Sequence, residues 1–240
     1  MLLISTTAIA AAGYIINDYY DIKIDLINKP GRVVVGKSIT RRYALLLHSG
    51  LNFLAIAVGF ILRWEIGLIY VISAFLLWLY SNQLKRKPLV GNLTVAMLTA
   101  MCVELVNVFY QEQVHLVTIY AVFAFFMTLV REIIKDMEDW RGDATFGCQT
   151  LPILWGLRKT KLFVFGVLVV FLVTVLVVNH LFSNLPDIYF LVFLFFPVSL
   201  LGMRLQRADT VSDFRRLSRL CKIIMILGIL SMVLVREPLP

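Results

Sequence analysis

The chain alternates long apolar runs with short polar stretches. Eight apolar runs stand out, at residues 1–16, 43–62, 66–81, 89–110, 114–134, 161–182, 187–203 and 220–236. Most come close to the roughly 20 residues an α-helix needs to cross the hydrocarbon core of a bilayer. A soluble fold has no need of runs this long. The pattern predicts an all-α fold: a polytopic transmembrane helical bundle with eight spans, forming one membrane domain over 1–240.

The connections between runs sort into two kinds. Of the 23 Lys and Arg residues, 21 fall in every second connection, and only Arg63 and Arg236 fall in the others. Eight alternating spans require such a pattern. By the positive-inside rule the basic connections face the cytoplasm, and the thin ones at 62–66, 110–114 and 182–187 are expected as short external hairpins. The net charge of +8 would otherwise suit a nucleic-acid binder. Because it is concentrated in membrane-edge connections, no nucleic-acid partner is expected, and nothing in the chain indicates a protein partner. Charged residues make up 16% of the chain, against about 25% in soluble domains. Cys102, Cys148 and Cys221 lack ligand spacing and read as free thiols.

Two acidic segments change the picture. NDYYDIKID at 17–25 carries Asp18, Asp21 and Asp25, and KDMEDWRGD at 135–143 carries Asp136, Asp139 and Asp143. Both read D-x2-D-x3-D. On a helix, positions i, i+3 and i+7 share one face, so each segment can aim three carboxylates at one point. Each sits at the cytoplasmic end of a span, four spans apart, which suggests two pseudo-repeated halves. Acid–base mixtures at a membrane edge are ordinarily solvated surface. Two with identical spacing at equivalent positions argue for a shared role.

Clustered carboxylates repel and need a counter-charge. All-oxygen ligands without His or Cys favour magnesium or calcium, and magnesium commonly shares its shell with substrate phosphates. The six aspartates are therefore the candidate catalytic and Mg2+-ligating residues, with a diphosphate between them. Asn17 and Glu138 could add oxygen ligands. A departing diphosphate also needs positive charge. Lys29, Arg32, Lys85, Arg86 and Lys135 are candidates, although each could equally be an ordinary positive-inside residue. Tyr14, Tyr19, Tyr20 and Tyr80 suit either an interfacial aromatic belt or cation–π contact with an allylic cation. Within the apolar spans, Glu104 and Asn107 could line an acceptor pocket or tie helices together. His48 and Asn52 are a weaker version of the same case.

These segments resemble the UbiA superfamily of intramembrane prenyltransferases. NDYYDIKIDLINKPGR at 17–32 is similar to its first aspartate-rich motif. KDMEDWRGDATFGCQTLPILWG at 135–156 is similar to its second motif with a Gly-Thr-Leu-Pro tail, and YSNQLKRKPLVGNLTVA at 80–96 to the stretch between its fourth and fifth helices. The resemblance implies nine helices around a central cavity, with a Mg2+-bound prenyl diphosphate under a cytoplasmic cap and transfer of the prenyl group to a lipophilic acceptor. By position, Asn17, Asp18, Asp21 and Asp25 would form one magnesium site, and Asp136, Asp139 and Asp143 the other. The family's first motif closes its second helix, yet here it closes the first span. The expectation is a nine-helix fold lacking its first helix; either the first span is tilted or shallow, or Met1 lies inside a longer gene.

The second motif looks most like the archaeal-type synthases of digeranylgeranylglyceryl phosphate and their bacterial relatives. That resemblance implies a geranylgeranyl donor, the hydroxyl of geranylgeranylglycerol phosphate as acceptor, and a bacterial or archaeal cell membrane with the site facing the cytoplasm. Alternatives are an aromatic prenyltransferase of quinone or chlorophyll-type biosynthesis and, from another class, a cation-coupled transporter. A transporter would carry its polar site near the membrane midplane, whereas these acids lie at the edge.

Overall fold

The computed structural model describes residues 1–28, 31, 33–111, 114–182 and 191–232. Lys29, Arg32 and Arg236 lie outside them. The described chain is helical almost throughout: α1 (Leu2–Asn28), α2 (Arg41–Leu62), α3 (Trp64–Asn82), α4 (Val90–Tyr110), α5 (His115–Thr145), α6 (Leu151–Phe182), α7 (Phe196–Gln206) and α8 (Val211–Ser231). A 3-10 turn at Leu84–Arg86 joins α3 to α4, and a π-helical turn at Leu191–Phe195 leads into α7. No β-strand forms among the described residues. One isolated bridge links Val35 and Ile39.

α2 to α6 are each long and apolar enough to cross a membrane. Among the described residues, the other three of the eight expected spans do not reach that measure. The end of α1 is given to the first acidic segment, α7 has 11 residues, and α8 opens on the polar turn VSDFRR. Helix ends also differ from the expected ones. α1 continues to Asn28 and α5 to Thr145, past the apolar limits at 16 and 134. Loss of hydropathy marks where a helix leaves lipid, and Asp, Lys and Arg are tolerated in a helix beyond that point. At 31 residues and 1.5 Å per residue, α5 is about 46 Å long, so it overhangs a ~30 Å hydrocarbon core by several turns. The second acidic segment sits in that overhang.

Packing divides the helices between two cores. Ile9 of α1, Ala55 of α2, Ile66 and Tyr70 of α3 and Leu105 of α4 form the smaller one. The larger surrounds α5, with Met127, Ile133, Ile134 and Met137 against Phe171 of α6, Leu201 of α7 and Phe214 and Ile224 of α8. α5 also packs on α1 and α4 and thereby joins the halves. Its core stretch is apolar all round, as a helix at the centre of a bundle should be. α2 instead exposes Phe53, Leu54 and Ile61, a surface suited to lipid.

Polar ties fix helix positions within this apolar mass. Tyr70 hydroxyl hydrogen-bonds to the hydroxyls of Ser5 (3.0 Å) and Thr6 (2.7 Å). His48 Nδ1 lies 2.9 Å from the Ala12 carbonyl oxygen and joins α2 to α1. Asn107 Nδ2 donates to Glu104 Oε1 (2.8 Å), and Asn107 Oδ1 accepts from the Val114 N–H (3.2 Å). Glu104 and Asn107 therefore tie the α4–α5 corner together. Glu138, considered above as an oxygen ligand, instead turns to α8. Its Oε1 accepts from Arg215 Nε at 3.0 Å.

Glu138 is nearly buried while Arg215 is half-exposed, so the two partners are not equivalent. Removing the arginine strands a carboxylate in a poorly solvated place, whereas neutralising the glutamate leaves the arginine free to reach water. Arg215→Leu is expected to cost about 1–3 kcal/mol and Glu138→Gln less. Thermal unfolding in detergent checks the order, and the reverse order would contradict it.

Candidate active site

The D-x2-D-x3-D spacing falls on continuous helix in both segments, so each set of three aspartates lines one face. The two faces meet where α1 packs on α5. A cavity of about 370 Å³ opens there, lined by Asp18, Asp21 and Asp25 from α1 and by Asp136, Asp139 and Asp143 from α5. Asn17, Tyr14, Tyr80, Lys85 and Lys135 line it too. Two segments 118 residues apart in sequence thus share one site. Of the residues expected to bind substrate, Lys29 and Arg32 lie outside the described chain. Arg86 is exposed and is not part of the lining. Tyr19 and Tyr20 pack edge to face on each other and are not in the lining either.

The connection between α3 and α4 supplies the third wall. Lys85, in the 3-10 turn, forms an ion pair with Asp21. Burial lowers its pKa from the ordinary lysine value, against the opposing pull of Asp21. Several features hold this turn in place. Leu89 sits at φ +63°, ψ −36°, with the Val90 N–H donating to the Pro88 carbonyl at 2.7 Å. This is a γ-turn of the rare, strained kind. A Cβ on Gly91 would stand 2.8 Å from the Leu84 carbonyl oxygen and 2.9 Å from Lys85 Cα. Both are backbone atoms with little room to move, so only glycine lets α4 close on the turn. From the other side, the Gln149 N–H donates to the Arg86 carbonyl at 2.8 Å. The tail after the second motif therefore clamps the turn through Arg86's backbone rather than its charge.

Three residues that the sequence reading did not single out for these roles support the site. Asn92, at the start of α4 and nearly buried, donates from Nδ2 to Asp136 Oδ2 at 2.8 Å and fixes that carboxylate. Glu132, buried one turn deeper in α5, pairs with Arg131 and lies 3.8 Å from Lys135 Nζ, which steadies the lysine. Cys148 lines the cavity. Burial and the Asp143 carboxylate raise the pKa of its thiol, so it stays protonated at neutral pH and is a poor nucleophile.

Charge decides what this cavity can hold. Six carboxylates against two ammonium groups leave a formal excess of four negative charges, which repels a diphosphate. Oxygen donors in this number suit a hard divalent cation. Among the described residues no three acids close into a ready-made metal cage. Mg2+ takes one or two carboxylates and completes its shell with water and substrate phosphates. The acids on both walls could hold such ions, with a bound diphosphate between them.

The UbiA prenyltransferase family matches residues 1–227, and the chain belongs to that family. It is an integral membrane prenyltransferase with the UbiA fold. Digeranylgeranylglyceryl phosphate synthase of Methanobrevibacter smithii is 35% identical over 221 residues, covering 85% of this chain and 77% of the relative. A solved structure concerning digeranylgeranylglyceryl phosphate synthase in membranes matches with a TM-score of 0.75 and 25% identity, over 97% of this chain and 83% of that one. A UbiA homologue from Archaeoglobus fulgidus, bound to DMAPP and Mg2+, shares the fold at a TM-score of 0.72 and 13% identity, over 98% of this chain and 87% of that one.

Asn92 reaches the aspartates only through Asp136. Replacing such a supporting donor typically costs about 10–100-fold in metal affinity or activity. Asn92→Leu is expected to lower prenyl transfer by that factor and to raise the magnesium concentration needed for half-maximal rate. Unchanged magnesium dependence would show that Asn92 does not position Asp136.

Proposed function

We propose that the protein transfers a geranylgeranyl group from its diphosphate to the hydroxyl of geranylgeranylglycerol phosphate, in a Mg2+-dependent reaction at the cytoplasmic face of an archaeal or bacterial membrane. The observation that carries this reading is the convergence of both aspartate triads on one cavity with Lys85 and Lys135. The 35% identity to a digeranylgeranylglyceryl phosphate synthase over most of both chains supports the choice of donor and acceptor. The asymmetric distribution of Lys and Arg supports the orientation.

Each residue has a definite task in this reading. Asp18, Asp21 and Asp25 on α1, with Asn17, hold one magnesium site. Asp136, Asp139 and Asp143 on α5 hold the other. Bound magnesium supplies electrostatic stabilisation to the departing diphosphate. Lys85 and Lys135 add positive charge at its oxygens. The prenyl chain extends from the cavity into the apolar space between helices, away from bulk water that would hydrolyse an allylic cation. Tyr14 and Tyr80, which line the cavity, would stabilise positive charge on the carbon that loses its oxygen. The acceptor oxygen then forms its bond to that carbon as the carbon–diphosphate bond breaks, and the hydroxyl proton leaves to a base at the site.

Asp21→Ala and Asp136→Ala are each expected to lower turnover at least about 10²-fold with the helical fold retained by circular dichroism. Full activity in either purified variant would contradict the two-site arrangement.

Acceptor choice is tested in detergent with magnesium and geranylgeranyl diphosphate, offering geranylgeranylglycerol phosphate and 4-hydroxybenzoate in parallel. Mass spectrometry should find prenylated glycerol phosphate alone, and EDTA should abolish it. Product from the aromatic acid alone would move the protein to the quinone branch.

A further inference from the structure

A second groove lies outside the aspartate cavity and has no part in the chemistry above. It sits between the start of α6 and the turn from α7 to α8 and is open on one side, with a volume of about 820 Å³. Its floor is apolar, built from Leu157, Leu162 and Phe165 of α6. Leu162 is 72% exposed. Arg158, Lys159 and Lys161 edge the groove. Lys161 Nζ donates to Asp209 Oδ1 at 2.7 Å, so that cation is already matched. Arg158 and Lys159 are exposed and leave the rim with an excess of positive charge.

The local backbone explains the placement. α6 is interrupted at Gly156, where φ +75° and ψ 163° suit glycine and few other residues. The helix resumes at Leu157, and the Thr160 hydroxyl donates back to the Gly156 carbonyl at 2.9 Å. The basic residues therefore occupy the first turns of a helix that goes on to span the membrane. An apolar floor beneath a basic rim, at the point where a helix enters lipid, matches an amphiphile with an anionic head and an acyl tail. An inorganic anion would use the rim and leave the floor bare. A zwitterionic lipid would fill the floor and leave the rim uncompensated.

We propose that this groove binds an anionic phospholipid, with its phosphate on Arg158 and Lys159 and one chain along Leu157, Leu162 and Phe165. The proposal is independent of the prenyl-transfer reading.

The test is native mass spectrometry of protein released from nanodiscs of phosphatidylcholine and phosphatidylglycerol. Wild type should retain one phosphatidylglycerol in preference to phosphatidylcholine. The double variant Arg158→Gln/Lys159→Gln should lose that occupancy by about tenfold or more. Arg41→Gln/Arg42→Gln, an exposed basic pair on α2, should keep it. Both pairs are exposed and outside the aspartate cavity, and circular dichroism in detergent serves as the folding check. Equal loss in both double variants would reduce the effect to general membrane electrostatics and overturn the proposal. So would the absence of any preference in wild type. Displacement of the lipid by millimolar inorganic phosphate would show a free-anion site and overturn it as well.

Discussion

Repulsion among six carboxylates brought to one cavity is the constraint on which the rest of the structure depends. Charges of one sign a few ångströms apart cost several kcal/mol each at the effective dielectric of a protein edge. The fold offsets part of this with Lys85, Lys135 and the Asn92 amide, and the remainder is left for ligands. An empty cavity of this kind repels a diphosphate, and one charged with divalent cations attracts it. In the proposed function, the same repulsion would couple substrate binding to metal binding.

Holding that arrangement requires stiff supports. Each aspartate triad rides on a helix that begins inside the apolar bundle and runs out past it, so its direction is set by packing far from the site. α5 is the extreme case, with Ile133, Ile134 and Met137 buried completely immediately beside Asp136. The wall between α3 and α4 is a 3-10 turn rather than continuous helix. It is held by close contacts instead: the glycine at 91, the strained turn at Leu89 and the hydrogen bond from Gln149. These devices place the Lys85 ammonium opposite Asp21.

Much of this was legible in the sequence, for physical reasons that also explain the failures. The aspartate spacing is a helical period, so the shared face followed directly. The same period, about 100° per residue, sets Glu138 some 200° around the helix from Asp136. Glu138 therefore faces away from Asp136, and there it pairs with Arg215. Arg86 follows Lys85 in a 3-10 turn, where one step is about 120°, so adjacent cations point apart. Asn92 gave no local signal, because it follows a glycine at the head of an apolar helix and its partner is 44 residues away. The extent of α1 and α5 was underestimated because hydropathy reports lipid contact rather than helix length.

In the proposed function, α1 and α5 would hold one diphosphate between the magnesium sites of their two aspartate triads. Calorimetric binding of geranylgeranyl S-thiolodiphosphate, which binds without rapid cleavage, tests this arrangement most directly when wild type, Asp21→Asn, Asp136→Asn and the double variant are compared with and without magnesium. Binding should depend on magnesium, weaken in each single variant, and show a double loss that departs from the sum by more than about 0.5 kcal/mol. Binding without magnesium, or losses that simply add, would contradict it.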